Sequence, residues 1–168
     1  MKKAPLIRIL TAVLLAAAAA SLAACAYHSQ FIEVRQDNPA PLPRVWKIRG
    51  IAVEQSVPDR ELEARIPEVL SLIGATQGVT VLAAGAEEAA SGEPFALLDL
   101  WVKEKSYTRG LDQYNSITAF LTLIAPDGKE ILARAVYSED TEESIKSFQR
   151  LYIILNELVG AMGARAAR

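Results

Sequence analysis

The stretch "YNSITAFLTLIAPDGKEILARAVYS", residues 114–138, decides the fold of this chain. Both of its halves alternate apolar and polar residues, which is typical of strands with one buried face. Between them, Pro126 to Gly128 is a turn signal, because proline presets its backbone angle and glycine accepts a positive one. The pattern predicts an antiparallel hairpin whose buried positions are Ile117, Ala119, Leu121, Leu123, Ile131, Ala133, Ala135 and Tyr137.

The residues before this hairpin extend it into a sheet and add a helix. "FALLDLWVKEKSYTR", residues 95–109, begins as a nearly continuous apolar run and predicts a further strand of the same meander. A first strand over 45–54 precedes a helix with capping groups at Ser56 and Asp59, and "GVTVLA" is a short strand after it. Pro67 falls inside the helix and predicts a kink or a restart there.

A second helix closes the domain. Asp140 and Glu143 have the spacing of a capping box. Steps of three and four then separate the apolar residues Ile145, Phe148, Tyr152, Leu155, Val159 and Met162. This spacing fits a coiled-coil seam or a helix on a sheet, and three further apolar residues, Leu151, Ile154 and Leu158, favour the sheet. We predict one α+β domain over residues 45–168, ordered β-α-β-β-β-β-α, with a single antiparallel-rich sheet and two helices on one face.

The N-terminus reads as an export signal. The first 24 residues hold three of the 18 Lys and Arg residues and none of the 20 Asp and Glu residues. A cationic start, an apolar run and then small residues form the usual order of a signal peptide, which we assign to residues 1–24. An uncleaved N-terminal anchor is the alternative, because residues 9–27 are nearly long enough to span a bilayer.

The only cysteine of the chain, Cys25, ends this run in "LAAC". The tetrad closely resembles the bacterial lipobox. The resemblance implies that a diacylglyceryl group is attached to the Cys25 thiol, that cleavage falls between Ala24 and Cys25, and that the new amine is acylated. One acyl chain holds a protein only marginally, whereas two or three hold it stably. Because Ala26 is not Asp, the resemblance further implies transfer to the outer membrane, facing the periplasm.

Residues 25–44 predict a tether. Pro39, Pro41 and Pro43 favour extended polyproline geometry. Within the segment, Phe31 to Val34 has the composition of a short edge strand that packs on the domain.

Several chemistries have little support in the residues. The only histidine is His28, in the tether, so neither a zinc site nor a histidine-assisted nucleophile is expected, and no metal or other cofactor is predicted. The acidic remainder of the chain argues against nucleic-acid binding. A carboxylate pair for glycan hydrolysis is the remaining enzymatic idea, but Asp99 and Glu104 fall on opposite faces of one strand, about 16 Å apart along it.

One stripe of side chains is a candidate binding surface. Strand alternation places Trp101, Lys103, Lys105, Tyr107 and Arg109 on one face, and Tyr114 follows just beyond a turn. Aromatic rings stack on sugars, and cations pair with phosphates or carboxylates. The stripe predicts contact with lipopolysaccharide, peptidoglycan or a partner protein, or else it is an ordinary solvated face.

The whole pattern also resembles known families. A lipobox, a tether, "FLTLIAPDGKEILARAVYS" and an amphipathic C-terminal helix are similar to small outer-membrane lipoproteins of lipopolysaccharide assembly and to auxiliary lipoproteins of lipid-transporting ABC systems. The resemblance assigns a role to Cys25 alone. It implies a non-enzymatic accessory subunit, bound to the membrane by its lipid and to an envelope protein complex. A glycan hydrolase and a structural lipoprotein without a dedicated ligand stay as alternatives.

The lipid assignment predicts a specific mass. In a bacterial envelope, the mature chain should begin at Cys25 and carry the mass of its acyl groups, whereas Cys25→Ser should show no acyl mass. Intact-protein mass spectrometry after detergent extraction measures this, with Ser21→Ala as a control that keeps the modification. An unmodified and uncut amino terminus in the unsubstituted chain would contradict the assignment.

Overall fold

The computed structural model describes residues 30–37, 39–55, 59–85 and 93–166. The signal peptide, Ala24, Cys25, His28 and the capping candidate Ser56 lie outside these residues. The elements are β1 (Phe31–Arg35), β2 (Val45–Glu54), α1 (Arg60–Thr76), β3 (Thr80–Leu82), β4 (Phe95–Arg109), β5 (Asp112–Ile124), β6 (Ile131–Thr141) and α2 (Phe148–Ala166).

The strands form one six-stranded mixed sheet in the order β1-β6-β5-β4-β2-β3. The meander from β4 to β6 is antiparallel, and β1 pairs antiparallel with β6. In contrast, β2 runs parallel to both β3 and β4. The predicted α+β class and the helices on one face are confirmed, and the parallel pairing of β2 with β3 follows from α1, which carries the chain back along the sheet between these two strands.

Both helices cover the same face of the sheet. α1 contacts β2 and β3, α2 contacts β6, β5 and β1, and the helices contact each other. The alternate residues of β5 that were expected to be buried are all buried, as are Ala133, Ala135 and Tyr137 of β6, whereas Ile131 is 47% exposed at the start of its strand. Leu151, Ile154 and Leu158 are buried too, which confirms a helix lying on a sheet.

α1 begins where the sequence predicts. The Asp59 carboxylate accepts hydrogen bonds from the backbone amides of Glu61 and Leu62, at 3.1 and 3.2 Å, and so caps the first turn. The helix continues through Pro67 without a restart. Proline there cannot donate to the carbonyl of Glu63, but Glu63 is exposed, so water can reach that side of the helix.

The start of α2 differs from the expectation. Asp140 lies within β6, opposite Ser116 of β5, and the helix begins only at Phe148. The predicted capping box of Asp140 and Glu143 is therefore wrong. The side-chain hydroxyl of Thr141 instead accepts from the amide of Glu143, at 3.2 Å, in a turn after the strand.

A buried polar group ties α2 to β6. The hydroxyl of Tyr137 donates to Glu139 at 2.5 Å, and Arg150 of α2 forms an ion pair with the same carboxylate. Glu139 is 5% exposed, so an unpaired charge would be costly there. Burial raises the pKa of Tyr137 above its ordinary value.

The N-terminal segment also joins the domain. β1 lies within residues 25–44, and its register pairs Phe31 with Ser138 and Arg35 with Arg134. Leu42 is buried against the core, and Trp46 is fully buried, with its indole N–H donating to the carbonyl of Pro43 at 2.7 Å. The expected edge strand therefore forms, and packing begins before residue 45.

Two helical glycines give a matched test of packing. A Cβ on Gly74 would lie 2.9 Å from the carbonyl oxygen of Val79 and 2.8 Å from a methyl of Val81, whereas on Gly160 its nearest neighbours are atoms of Gln77 at 3.5 Å. We expect Gly74→Ala to lower the free energy of unfolding by about 1–3 kcal/mol. Gly160→Ala should raise it by about 0.5–1 kcal/mol through helix propensity. Denaturant unfolding measures both, and equal effects would contradict the close approach of α1 to β3.

Candidate functional site

The face of the sheet opposite the helices, here called the open face, has no helix over it among the described residues. On β4, burial alternates from Phe95 to Glu104, with the even-numbered residues buried under the helices. The odd-numbered residues lie on the open face. Because β4 is one continuous strand, all five stripe residues of β4 lie on this face, and Tyr114 joins them through its pairing with Tyr107.

A depression of about 280 Å³ lies near the centre of the open face. The register between β2 and β4 shifts between Ile48 and Gly50, which places a bulge beside it. Gly50 and Ala52 have little or no side chain, so they leave a gap next to the larger residues of β4 and β5. The depression is lined by Gly50, Ile51, Ala52, Asp99, Leu100, Trp101, Phe120 and Thr122.

Two aromatic rings form one wall of the depression. Trp101 and Phe120 pack with their ring centroids 5.2 Å apart and their planes tilted by 42°. The indole N–H of Trp101 donates to Glu54 at 2.8 Å, which fixes the orientation of the ring. Both side chains are only half-buried, so this hydrogen bond and the ring contact hold an aromatic surface toward solvent.

Charged groups form the rim. Arg49 forms a two-pronged ion pair with Asp99, with Nε at 2.9 Å from Oδ1 and the other nitrogen on Oδ2. The hydrogen bond to Asp99 raises the pKa of Arg49. Lys103 lies 3.1 Å from Glu54 and 5.7 Å from the centroid of the Trp101 ring. The hydrogen bonds from Trp101 and Lys103 lower the pKa of Glu54 from its ordinary value.

The outer half of the stripe is separate from the depression. Tyr107 and Tyr114 face each other across the β4–β5 hairpin, with their rings stacked at 5.9 Å. Burial is the main cause of the raised pKa of Tyr114, and Asp112 adds to it. Lys105 and Arg109 lie on the same strand and are exposed. The six stripe residues therefore form two groups: Trp101 and Lys103 at the depression, and the other four on the hairpin.

Asp99 and Glu104 do not form a carboxylate pair. Asp99 lies at the depression and is held by Arg49. Glu104 is 8% exposed on the helix face, where it accepts from the side-chain amide of Gln55 at 2.6 Å and from the amide of Ile145 at 3.0 Å. Glu104 therefore holds the loop before α2. Asp99 and Glu104 lie on opposite faces of the sheet, as the strand alternation predicted.

Arg49, Glu54 and Phe120 are among the residues of this site that the sequence patterns did not predict. The first two come from β2, and they meet β4 only through the parallel register and its bulge. The alternation of β5 could have placed Phe120 on the open face, opposite Trp101. The bulge has one weak signal, the glycine inside the strand pattern at Gly50.

The described residues also bear on other kinds of site. No group of three or more His, Cys, Asp or Glu side chains in them is arranged to hold a metal ion. Their helices are also too short or too polar to cross a bilayer.

Comparison with known proteins identifies a fold relative. Neither a family model nor a curated protein sequence matches the chain. Among solved structures, the PelC dodecamer from Paraburkholderia phytofirmans is 16% identical with a TM-score of 0.53, covering 82% of this chain and 99% of that one. Lipoprotein GNA1162 from Neisseria meningitidis is 18% identical with a TM-score of 0.41, covering 74% and 99%. At this identity, the likeness to PelC is one of fold.

The lowered pKa of Glu54 makes a pH prediction. Its folded-state pKa lies below its unfolded value, so the bond to Trp101 is present above that unfolded pKa and is lost as the pH falls through the lowered pKa. We expect the fluorescence of Trp101 to titrate with a midpoint below the pKa of an ordinary glutamate. Lys103→Ala should move the midpoint upward.

The control is Trp101→Phe, which leaves only the buried Trp46 and should remove the titration. A midpoint at or above that of an ordinary glutamate would show that Trp101 and Lys103 do not hold the Glu54 carboxylate.

Proposed function

We propose that this protein is a lipid-anchored subunit of the bacterial envelope that binds an envelope glycan on its open face and has no catalytic role. The anchor rests on Cys25 at the end of a complete signal sequence. The binding role rests on one structural observation, the aromatic depression on a face that no described helix covers. Lipopolysaccharide and peptidoglycan are the glycans that such a location makes available.

The shape and chemistry of the depression suit a sugar ring. Its volume lies just below the roughly 300–1,000 Å³ of ordinary small-molecule pockets, so it fits one ring of a longer ligand better than a whole enclosed molecule. Trp101 and Phe120 offer apolar surface for a ring face. Asp99, Glu54 and Thr122 offer oxygen acceptors to hydroxyl groups around it.

The rim also suits a ligand that carries negative groups. Lys103 lies beside the Trp101 ring, and Arg134 donates to the hydroxyl of Thr122 at 3.3 Å. Such cations pair with phosphate or carboxylate groups, which are attached to envelope sugars. The depression would therefore accept the ring while the rim selects its substituents.

The proposed mechanism is positional. An acylated Cys25 would confine the domain to a layer at the surface of the outer membrane, on its periplasmic side, and raise its effective concentration near ligands of that layer. The outer edges of β1 and β3 offer a second mode of contact, because strand addition there would join the protein to an envelope complex.

Glycan binding should depend on the depression. We expect Trp101→Ala to weaken binding of purified lipopolysaccharide or soluble peptidoglycan fragments by roughly threefold to tenfold, the usual value of one aromatic contact. Reversal of Lys103 to Glu should weaken binding of the anionic glycan further. Isothermal titration calorimetry of the lipidated protein in detergent measures both.

Leu72→Ala is the matched control. Leu72 is 57% exposed on α1, on the helix side of the sheet, and its removal should leave binding unchanged. If the unsubstituted protein binds neither glycan, or if Trp101→Ala binds as well as it does, the open face is not the site.

A further inference from the structure

The hairpin formed by β4 and β5 projects beyond the rest of the sheet. β6 ends at Thr141, opposite Asn115, and β2 ends at Glu54, opposite Lys103. The hairpin continues to the pair of Arg109 and Asp112, so it extends about 10 Å past β6 and about 20 Å past β2. This end of the sheet is here called the hairpin end.

An apolar side chain lies at the tip of the hairpin. Gly110 has a φ of 68° in the turn, and the next residue, Leu111, is 102% exposed. A turn of two residues would ordinarily be polar, because nothing covers its side chains. Behind Leu111 stand the stacked rings of Tyr107 and Tyr114, and Lys105 and Arg109 complete the outer stripe.

Other exposed apolar residues share this end. Six large hydrophobic side chains are exposed among the described residues. Two of them, Leu72 and Ile131, lie toward the opposite end, where α1 ends and β6 begins. The other four lie toward the hairpin end: Phe31, Tyr107, Leu111 and Phe148.

The first strand, β1, also begins toward this end. β1 runs antiparallel to β6, so the chain enters the sheet at Phe31 from the hairpin end. Phe31 pairs with Ser138 of β6, which pairs with Thr118 of β5. From Thr118, the hairpin tip at Asp112 is six residues away along β5, a distance of about 20 Å. Cys25 precedes Phe31 by six residues, which span at most about 20 Å. The distance from Phe31 to a bilayer that holds Cys25 is therefore no greater than the distance from Phe31 to the hairpin tip.

We propose that the tip of the β4–β5 hairpin inserts into the headgroup region of the bilayer that holds the lipid of Cys25. The inference rests on the proposed lipid anchor. Leu111 enters the apolar boundary, Tyr107 and Tyr114 lie at the depth where amphipathic rings are favoured, and Lys105 meets lipid phosphates. The hairpin and the anchor then form two contacts with one bilayer, which holds the strands upright and turns the open face sideways.

A single label on the tip tests this. Acylation blocks the thiol of Cys25, so in the full lipidated protein a spin label reacts only with an introduced cysteine. Leu111→Cys carries the label, and Leu72→Cys is the matched control, an exposed leucine far from the tip. Both are reconstituted into vesicles of phosphatidylethanolamine and phosphatidylglycerol. Relaxation by oxygen, which concentrates in lipid, is compared with relaxation by a water-soluble nickel chelate.

We expect the ratio of oxygen to nickel accessibility to be at least several-fold higher at position 111 than at position 72. Equal ratios would overturn the hairpin contact. A position 111 shielded from both reagents would also overturn it, because the tip would then be covered by protein. Mass spectrometry of the same samples separates the two proposals, since an unacylated Cys25 would refute the anchor, whereas acylated protein with an aqueous tip would refute only the insertion.

Discussion

The structure depends on apolar burial between one face of a six-stranded sheet and two helices. The alternate side chains of β4, β5 and β6 supply one layer of this core, and α1 and α2 supply the other. Because both helices lie on the same side, the alternate positions of the same strands are left facing solvent. A ligand that lies on a face of the sheet must therefore meet those positions, so the one-sided core is the origin of the open face.

Polar groups adjust this arrangement where burial alone would not specify it. Glu139 receives the Tyr137 hydroxyl and the Arg150 guanidinium beneath α2, and Glu104 receives the amide of Ile145 in the loop that leads to this helix. Each carboxylate is buried, so it is stable there only with its partners in place. These two contacts fix where α2 begins on the sheet, whereas its apolar face fixes only which side it covers.

The open face is organised by the join between the parallel and antiparallel halves of the sheet. β2 meets β4 with a bulge at Gly50, and the missing side chains there make room beside Trp101 and Phe120. The same register brings Arg49 to Asp99 and Glu54 to Trp101. The depression and its rim lie beside this irregular pairing, and the small residues Gly50 and Ala52 leave the gap open.

The sequence by itself determined the elements with strong local periodicity. The strands of residues 114–138, the cap at Asp59 and the apolar face of α2 were predictable, because period-two and helical patterns are properties of neighbouring residues. The capping box at Asp140 was wrong for a related reason: the local spacing was right, but pairing with β5 extended β6 through that residue.

Only the tertiary structure decided which strands are neighbours. The parallel pairing of β2 with β4 and its bulge join residues that are distant in the sequence. Arg49 and Asp99, for example, are separated by 50 positions. Such contacts depend on which strands become neighbours in the sheet, and no local pattern records that. The stripe residues on β4 could thus be predicted from the sequence of that strand alone. The depression could not, because its walls come from three strands.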